Sequence, residues 1–349
     1  MNDQTTKEDI RKIQLTGGST YIVSLPKRWV EQVGLGRGSM VTIVQRDDLG
    51  LSLYPRGAKV EEAKRAIITV SEGISPESLI RRVVSAYLIG YNIIQLRDPN
   101  KRIDSEQRYT VKDFTRRKLV GTEILSDLPR ELTLQVLLSH TELSVKDALR
   151  RMSIIAASMH RDAIITLATD GPQLAREVIA MDDEVDRFSL YIIRLLKAAV
   201  SNSHILREIG IRSSRECLGY RLITKSVERM ADHAVNIARN SLTLIPSTLK
   251  EDVVTELRTM SESALRVFED AIDSLFEGDY AAADRVMDRA EETRGMEAGA
   301  IQKIIKNAPP GDVPALRLIV ESILRTAEYG SDIAEIVLNM TIHDEITEV

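Results

Sequence analysis

Residues 141–342 hold one three-helix pattern twice, and no other feature of the chain restricts its fold as much. A displacement of 108 residues carries Met152-Ser153 onto Met260-Ser261 and Asp162-Ala163-Ile164 onto Asp270-Ala271-Ile272. It also carries Leu167 onto Leu275 and Val178 onto Val286. For the third helix the displacement is 96, and Arg221-Leu222-Ile223 falls on Arg317-Leu318-Ile319. Ser226, Arg229, Ala231, Ile237, Ala238 and Leu242 then fall on Ser322, Arg325, Ala327, Ile333, Ala334 and Leu338. The shorter second displacement places a deletion in the second copy, most simply in the connection after residue 200. Breaks at Asp170-Gly171-Pro172, 201–212, Pro246, Gly278 and Pro309-Pro310-Gly311 predict six helices: 141–170, 173–200, 213–244, 249–277, 280–307 and 313–342. Helices of about thirty residues joined by tight turns predict antiparallel three-helix bundles.

The chemistry of this region lies in its carboxylates. Leu174, Val178, Met181, Val185, Phe188, Ile192 and Leu195 form the buried stripe of the second helix, and Asp182 and Asp186 lie beside it. On the third helix Glu228 and Asp232 share a face with Val235, while Ala231 and Ala238 leave room for close approach. Acids four residues apart stack on one helix face and repel. One reading is a solvated acidic edge paired with Arg187 and Arg229. The other is a site in which Asp182, Asp186, Glu228 and Asp232 surround a divalent or ferric ion, since all-oxygen ligands suit magnesium, manganese, calcium or ferric iron. In the second copy Arg294 stands at the position of Asp186 and Leu324 at that of Glu228; Glu291, Glu292, Glu328 and Asp332 are the acids nearby. A single competent site, in the first copy, is therefore expected.

Ahead of the repeats the chain changes character. Residues 1–139 carry 22 basic and 17 acidic side chains, a net of +5, and the remainder carries 25 and 35, a net of −10. Ile13 and Leu15 alternate with polar neighbours, Gly17-Gly18 turns the chain into a strand over 21–25, and Pro26 opens a short helix over 27–33 that ends at Gly34. Strands at 41–44 and 51–54 flank Asp47-Asp48-Leu49-Gly50, a hairpin signal. About fifty residues of this kind bury too little apolar surface to stand alone, so the module should dimerise or dock. Residues 58–138 read as a small α/β domain, with strands at 66–70, 92–96, 122–125 and 132–136 and helices at 76–87 and 104–120. Arg116-Arg117-Lys118 on the second of these helices reads as a solvated basic face. The domains expected are thus 1–57, 58–138, 139–246 and 247–349.

Two resemblances attach to these motifs. The order strand, Leu25-Pro26-Lys27, short helix, Gly34-Leu35 followed by Gly38, then two strands, resembles the AbrB/SpoVT family of swapped-hairpin DNA-binding modules over about residues 10–55. That likeness implies an intertwined homodimer in which Arg11, Lys12, Lys27 and Arg28 grip the DNA backbone. The tandem three-helix repeats, with Asp-x-x-x-Asp at 182–186 and Glu-Arg-Met-Ala-Asp-His-Ala-Val-Asn-Ile-Ala at 228–238, resemble the PhoU family of phosphate-uptake regulators. It implies metal at Asp182, Asp186, Glu228 and Asp232, and contact with a phosphate ABC transporter ATPase or a signalling protein.

The combination, similar to archaeal PhoU-type regulators, predicts a non-enzymatic regulator of phosphate uptake. The chain lacks the roughly 18 uninterrupted apolar residues of a membrane helix and a signal-peptide core in MNDQTTKED, so a cytoplasmic protein is expected. A lone Cys217 excludes a disulfide framework and a multi-thiolate zinc site. One alternative is a structural adaptor that dimerises through its N-terminal module without binding DNA. Another is a carboxylate-bridged metalloenzyme, which the lack of any Glu-x-x-His motif disfavours, with His233 reading as a surface or half-buried side chain.

Overall fold

A computed structural model of the chain describes residues 9–45, 49–56, 64–138, 143–168, 171–200, 202–244 and 249–346. It divides into two compact units, 1–63 and 64–349.

In the first unit, β1 (Gln14–Thr16) and β2 (Thr20–Ile22) form one antiparallel hairpin. Gly17 and Gly18, at φ 64° and 79°, make its turn, where a side chain would strain the backbone. The helix α1 (Lys27–Gln32) leads to a second hairpin, β3 (Val41–Gln45) with β4 (Leu51–Pro55). Strand β2 stops at Ile22, short of the expected residue 25. Asp47 and Asp48 of the hairpin signal, and Arg46, lie outside the described residues. None of the described residues of this unit is buried. Ile13, Leu15, Tyr21, Met40, Ile43 and Leu51 are all exposed. Two separate two-stranded hairpins have no inner layer against which to bury such side chains.

The second unit opens with a four-stranded sheet in the order β5-β6-β8-β7: β5 (Arg65–Thr69), β6 (Ile93–Arg97), β7 (Thr122–Leu128) and β8 (Glu131–Val136). The β5–β6 pair is parallel and the others are antiparallel. Helix α2 (Pro76–Ile89) starts at Ser75, whose hydroxyl accepts from the Ser78 amide at 3.2 Å, and ends at Gly90 with φ 101°. Helix α3 (Ser105–Lys118) is capped by Asp104, which accepts from the Glu106 amide at 2.8 Å. Ile94, Leu96, Leu132 and Leu134 point from the sheet into a core shared with Leu79, Val83, Tyr87 and Val111 of the two helices.

The repeats follow as expected in order. The first is α4 (Val145–Ile165), α5 (Gly171–Val200) and α7 (Glu216–Ser241), with a short α6 (Ser203–Glu208) inside the connection read as a loop. The second is α8 (Glu251–Glu277), α9 (Tyr280–Gly295), α10 (Glu297–Asn307) and α11 (Val313–Thr341). The helix expected over 280–307 is thus two helices. Thr293 is buried, its hydroxyl bonds back to the Arg289 carbonyl at 2.9 Å and lies 2.8 Å from the Ser263 hydroxyl, and Gly295 follows. Back-bonding of this kind bends a helix, and glycine weakens its continuation.

One hydrophobic core runs through both repeats. Helices α8 and α11 cross at Gly330, where an added Cβ would lie 2.9 Å from the Phe268 backbone nitrogen and 2.9 Å from Val267 Cγ1. Gly330→Ala should therefore force the helices apart and cost about 1–3 kcal/mol, seen as a lower urea midpoint with little change in m.

The helical half is also tied to the α/β domain. Helices α2 and α3 pack on α5. Arg194 of α5 is buried, and its guanidinium donates to the backbone carbonyls of Tyr87 and of Tyr91, the latter at 3.1 Å. It also lies 4.8 Å from the centre of the Tyr87 ring. A cation suits this position because the C-terminal end of α2 carries a partial negative charge.

Candidate functional site

The carboxylates singled out by spacing sit where α5 faces α7 and where the end of α3 crosses α5. Apolar faces place them: Val178, Val185 and Ile192 of α5, with Val227, Met230 and Ala234 of α7, turn into the core. Asp182, Asp186 and Glu228 are left half-buried at its margin, and Asp232 is more open to solvent.

The four residues are brought together as two pairs. Asp182 and Asp232 line a cleft of about 370 Å³ with His233, Asn236, Arg239 and Tyr329. Asp186 and Glu228 line a second cleft, of about 340 Å³, with Lys118, Lys225, Phe114 and Ile193. Among the described residues, no three His, Cys, Asp or Glu side chains converge closely enough to hold a metal ion.

The pairs differ in how their charge is met. Lys118 Nζ lies 2.6 Å from Asp186 Oδ2 and 2.5 Å from Asp183 Oδ1, and Arg117 Nε lies 3.2 Å from Asp183 Oδ2. Burial works against the Lys118 ammonium, but Asp183 and Asp186 outweigh it and hold its pKa above the ordinary lysine value. Lys225 Nζ lies 2.6 Å from Glu228 Oε2. Asp182 has no such partner: its Oδ1 is buried with no hydrogen bond. Burial, and then the charges of Asp186 and Asp232, push its pKa up to about 6. The Asp232 pKa is raised too, by burial and then by Glu228. Arg229 and Arg239 line the cleft of the first pair, but among the described ion pairs neither Asp182 nor Asp232 takes part, whereas Asp186 and Glu228 are each paired with a lysine. A hard cation suits the all-oxygen donors, but binding one would require Arg229 and Arg239 to turn away and the lysines to release Asp186 and Glu228.

Sequence reasoning missed two members of this site. Asp183 and Lys118 carry its shortest ion pair; in the run Arg116-Arg117-Lys118 the two arginines are exposed as expected and Lys118 is not. Charge complementarity between that run and the acidic bundle was the available signal. His233 is half-buried, with Nε2 3.5 Å from the Tyr329 hydroxyl and Nδ1 unpartnered. Of the basic residues assigned to DNA, Arg11, Lys12, Lys27 and Arg28 are all exposed. Arg11 lies 2.9 Å from Asp9, and Lys27 is 3.7 Å from Glu31.

Residues 149–241 and 257–337 each match the model of the PhoU domain, so the two matches fall on the two repeats. The helical half belongs to the PhoU family. Residues 14–60 match a second model, described as antidote-toxin recognition MazE, bacterial antitoxin, in keeping with the swapped-hairpin module expected there. One relative is the phosphate-specific transport system accessory protein PhoU homolog 1 of Thermotoga maritima, 25% identical over 215 residues, which span 60% of this chain and 86% of that protein. A PhoU homolog of Caulobacter vibrioides is 26% identical over 203 residues, 56% of this chain and 84% of its own. The crystal structure of PhoU from Pseudomonas aeruginosa has the same fold, with a TM-score of 0.51 at 17% identity over 57% of this chain and 96% of that one. Within the second PhoU repeat two of the acids carry their own cations. Arg294 pairs with Glu291, and Arg325 lies 2.6 Å from Glu328. The Asp332 pKa is raised, by burial and then by Glu335 and Glu328.

Proposed function

We propose that this chain is a non-enzymatic, cytoplasmic regulator of phosphate uptake. The observation that carries the reading is the pair of PhoU domain matches, one on each repeat. Relatives named as accessory proteins of phosphate-specific transport support it, and no described helix is long and apolar enough to cross a membrane. Contact with a phosphate ABC transporter ATPase or a signalling protein is part of the reading. In cells depleted of the protein, phosphate uptake and transporter transcript levels should lose their dependence on external phosphate. An unchanged response to starvation and repletion would sink the proposal.

The N-terminal unit adds a second role in this reading: a homodimer of the module, covering its exposed apolar side chains, presents Arg11, Lys12, Lys27 and Arg28 to duplex DNA. Each phosphate contact contributes about 0.9 to the slope of log affinity against log salt. Filter binding of the full chain should show that slope, and neutralising the four residues should lower it by about 3 to 4. No binding at low salt would favour the adaptor that dimerises without DNA.

A divalent or ferric ion at Asp182 and Asp232, completed by Asp186 and Glu228, is the third element. It would supply fixed positive charge that joins α5 to α7. Elemental analysis should find metal in the purified protein and lose it in an Asp182→Ala/Glu228→Ala variant; equal content in both would release these residues from the role.

A further inference from the structure

The α/β domain carries most of the positive charge of the first 139 residues. Over 64–138 stand 13 basic and 9 acidic side chains, so this domain holds +4 of the net +5. Three cations near the end of its sheet have acid partners: Lys101 pairs with Glu72, and Arg108 and Lys112 both pair with Asp127. Arg97, the last residue of β6, and Arg130, in the turn between β7 and β8, are exposed and take part in no described ion pair. Both line a cleft of about 400 Å³ walled by Pro99, Leu128 and Pro129, with Asp98 and Glu131 completing it. The cleft is held in shape from behind. Arg108 of α3 donates to the Leu128 carbonyl and, at 3.0 Å, to that of Pro129. The Ile103 amide donates to the Pro129 carbonyl at 2.9 Å, and the Asp98 amide to that of Arg130 at 3.0 Å. Asp98 is buried, and its Oδ1 accepts from the amides of Asn100 and Lys101 at 2.9 and 3.0 Å. A turn fixed in this way loses little freedom when a ligand arrives.

Three chemistries meet in this cleft. Guanidiniums recognise oxyanions, phosphate above all, through forked pairs of N–H donors. Leu128 is 54% exposed between the prolines, an apolar wall that a flat ring can cover. Glu131 supplies an acceptor: one of its oxygens takes the Thr133 hydroxyl at 3.0 Å, and no other described bond reaches its carboxylate. Asp98 and Glu131 balance the charge of the two arginines, which disfavours a bare anion and favours a ligand that also donates. We propose that the cleft binds a nucleoside monophosphate, with its phosphate on Arg97 and Arg130, its base over Leu128 and its ribose hydroxyls on Glu131. A carboxylate is the ordinary partner of a ribose diol. The volume lies toward the lower end of the roughly 300–1,000 Å³ of small-ligand sites, which suits one nucleotide. The α/β domain thereby has a ligand of its own, apart from the carboxylates between α5 and α7.

Calorimetry on the full chain, with AMP, GMP, CMP and UMP as probes, tests this. At least one of the four should bind, at one site per chain. Inorganic phosphate and the parent nucleoside should each bind at least about tenfold more weakly, since each fills only part of the cleft. Arg97→Gln and Arg130→Gln should each weaken the nucleotide by about ten- to a hundredfold, the scale of a hydrogen bond to a charged group. Neither arginine has a described acid partner, so the thermal midpoint of the unliganded variants should not move. Glu131→Ala should erase the preference for the ribonucleotide over its 2′-deoxy form, a difference that a merely structural role would leave in place. No binding of any of the four at millimolar concentration overturns the proposal. So does an affinity unchanged in both arginine variants, which would put the nucleotide elsewhere on the chain. Inorganic phosphate binding as tightly as the best nucleotide would overturn it too, by leaving an anion site only, and equal affinity for ribose and deoxyribose forms in the wild type would remove the Glu131 contact.

Discussion

Replacing His160 with alanine is expected to lower the unfolding free energy by about 3–5 kcal/mol, the cost of a buried cavity plus two hydroxyls that lose a partner. His160 of α4 is fully buried, with Nε2 2.8 Å from the Ser261 hydroxyl on α8 and Nδ1 3.2 Å from the Thr326 hydroxyl on α11. It is a fully buried polar link from the first repeat into the second. Urea unfolding at pH 7.5 or so checks the size of the effect. The same residue makes stability depend on pH. Burial first, with Arg161 and His233 adding to it, lowers its pKa from 6.5 to about 4. The unfolded chain therefore takes up this proton more readily than the native one. The stabilisation is complete above pH 6.5 and is lost as pH falls toward about 4. The loss amounts to roughly 3 kcal/mol across that window. A neutral His160→Asn variant should lack this component, and a wild type whose stability stays flat between those limits would refute the assignment.

Arg194→Leu should cost about 2–4 kcal/mol, because it strands two carbonyls and removes a buried cation from the Tyr87 ring. Its distinguishing mark is location. Amides of α2 and β6 should exchange faster while those of α7 and α11 keep their protection, since the PhoU core does not run through this contact. Arg194→Lys should rescue little, because one ammonium does not reproduce a planar fork that bonds two carbonyls and stacks on a ring. Uniform loss of protection across the bundle would show that the residue supports the whole fold instead of the junction.

Much of this architecture was legible because it is local or periodic. The displacement of 108 located the repeats, and Pro76 and Gly90 marked the ends of α2. Gly17-Gly18 located a hairpin turn. The division of 280–307 was not legible, since it depends on Thr293 meeting Ser263 across two helices. The acid ladder was visible as a pattern, but its division into two clefts, with lysine ion pairs in only one of them, was not. That division is set by Lys118, which reaches it from another domain, and no spacing rule connects residue 118 to 186. His160 was invisible for the same reason: the residue a displacement of 108 away is Phe268, so the repeat gave no hint of a polar centre.

The homodimer proposed for the N-terminal module, argued from the lack of any buried side chain among the described residues of 9–56, carries an expectation about dilution. The repeats find their core within one chain, so their order is a unimolecular property. A module whose apolar side chains are covered only by association has an order that follows mass action. Its folded fraction rises with the amount of chain and with anything that binds the associated form. If the module associates as proposed, expression level acts as an input to the N-terminal end of the molecule and leaves the helical end unaffected.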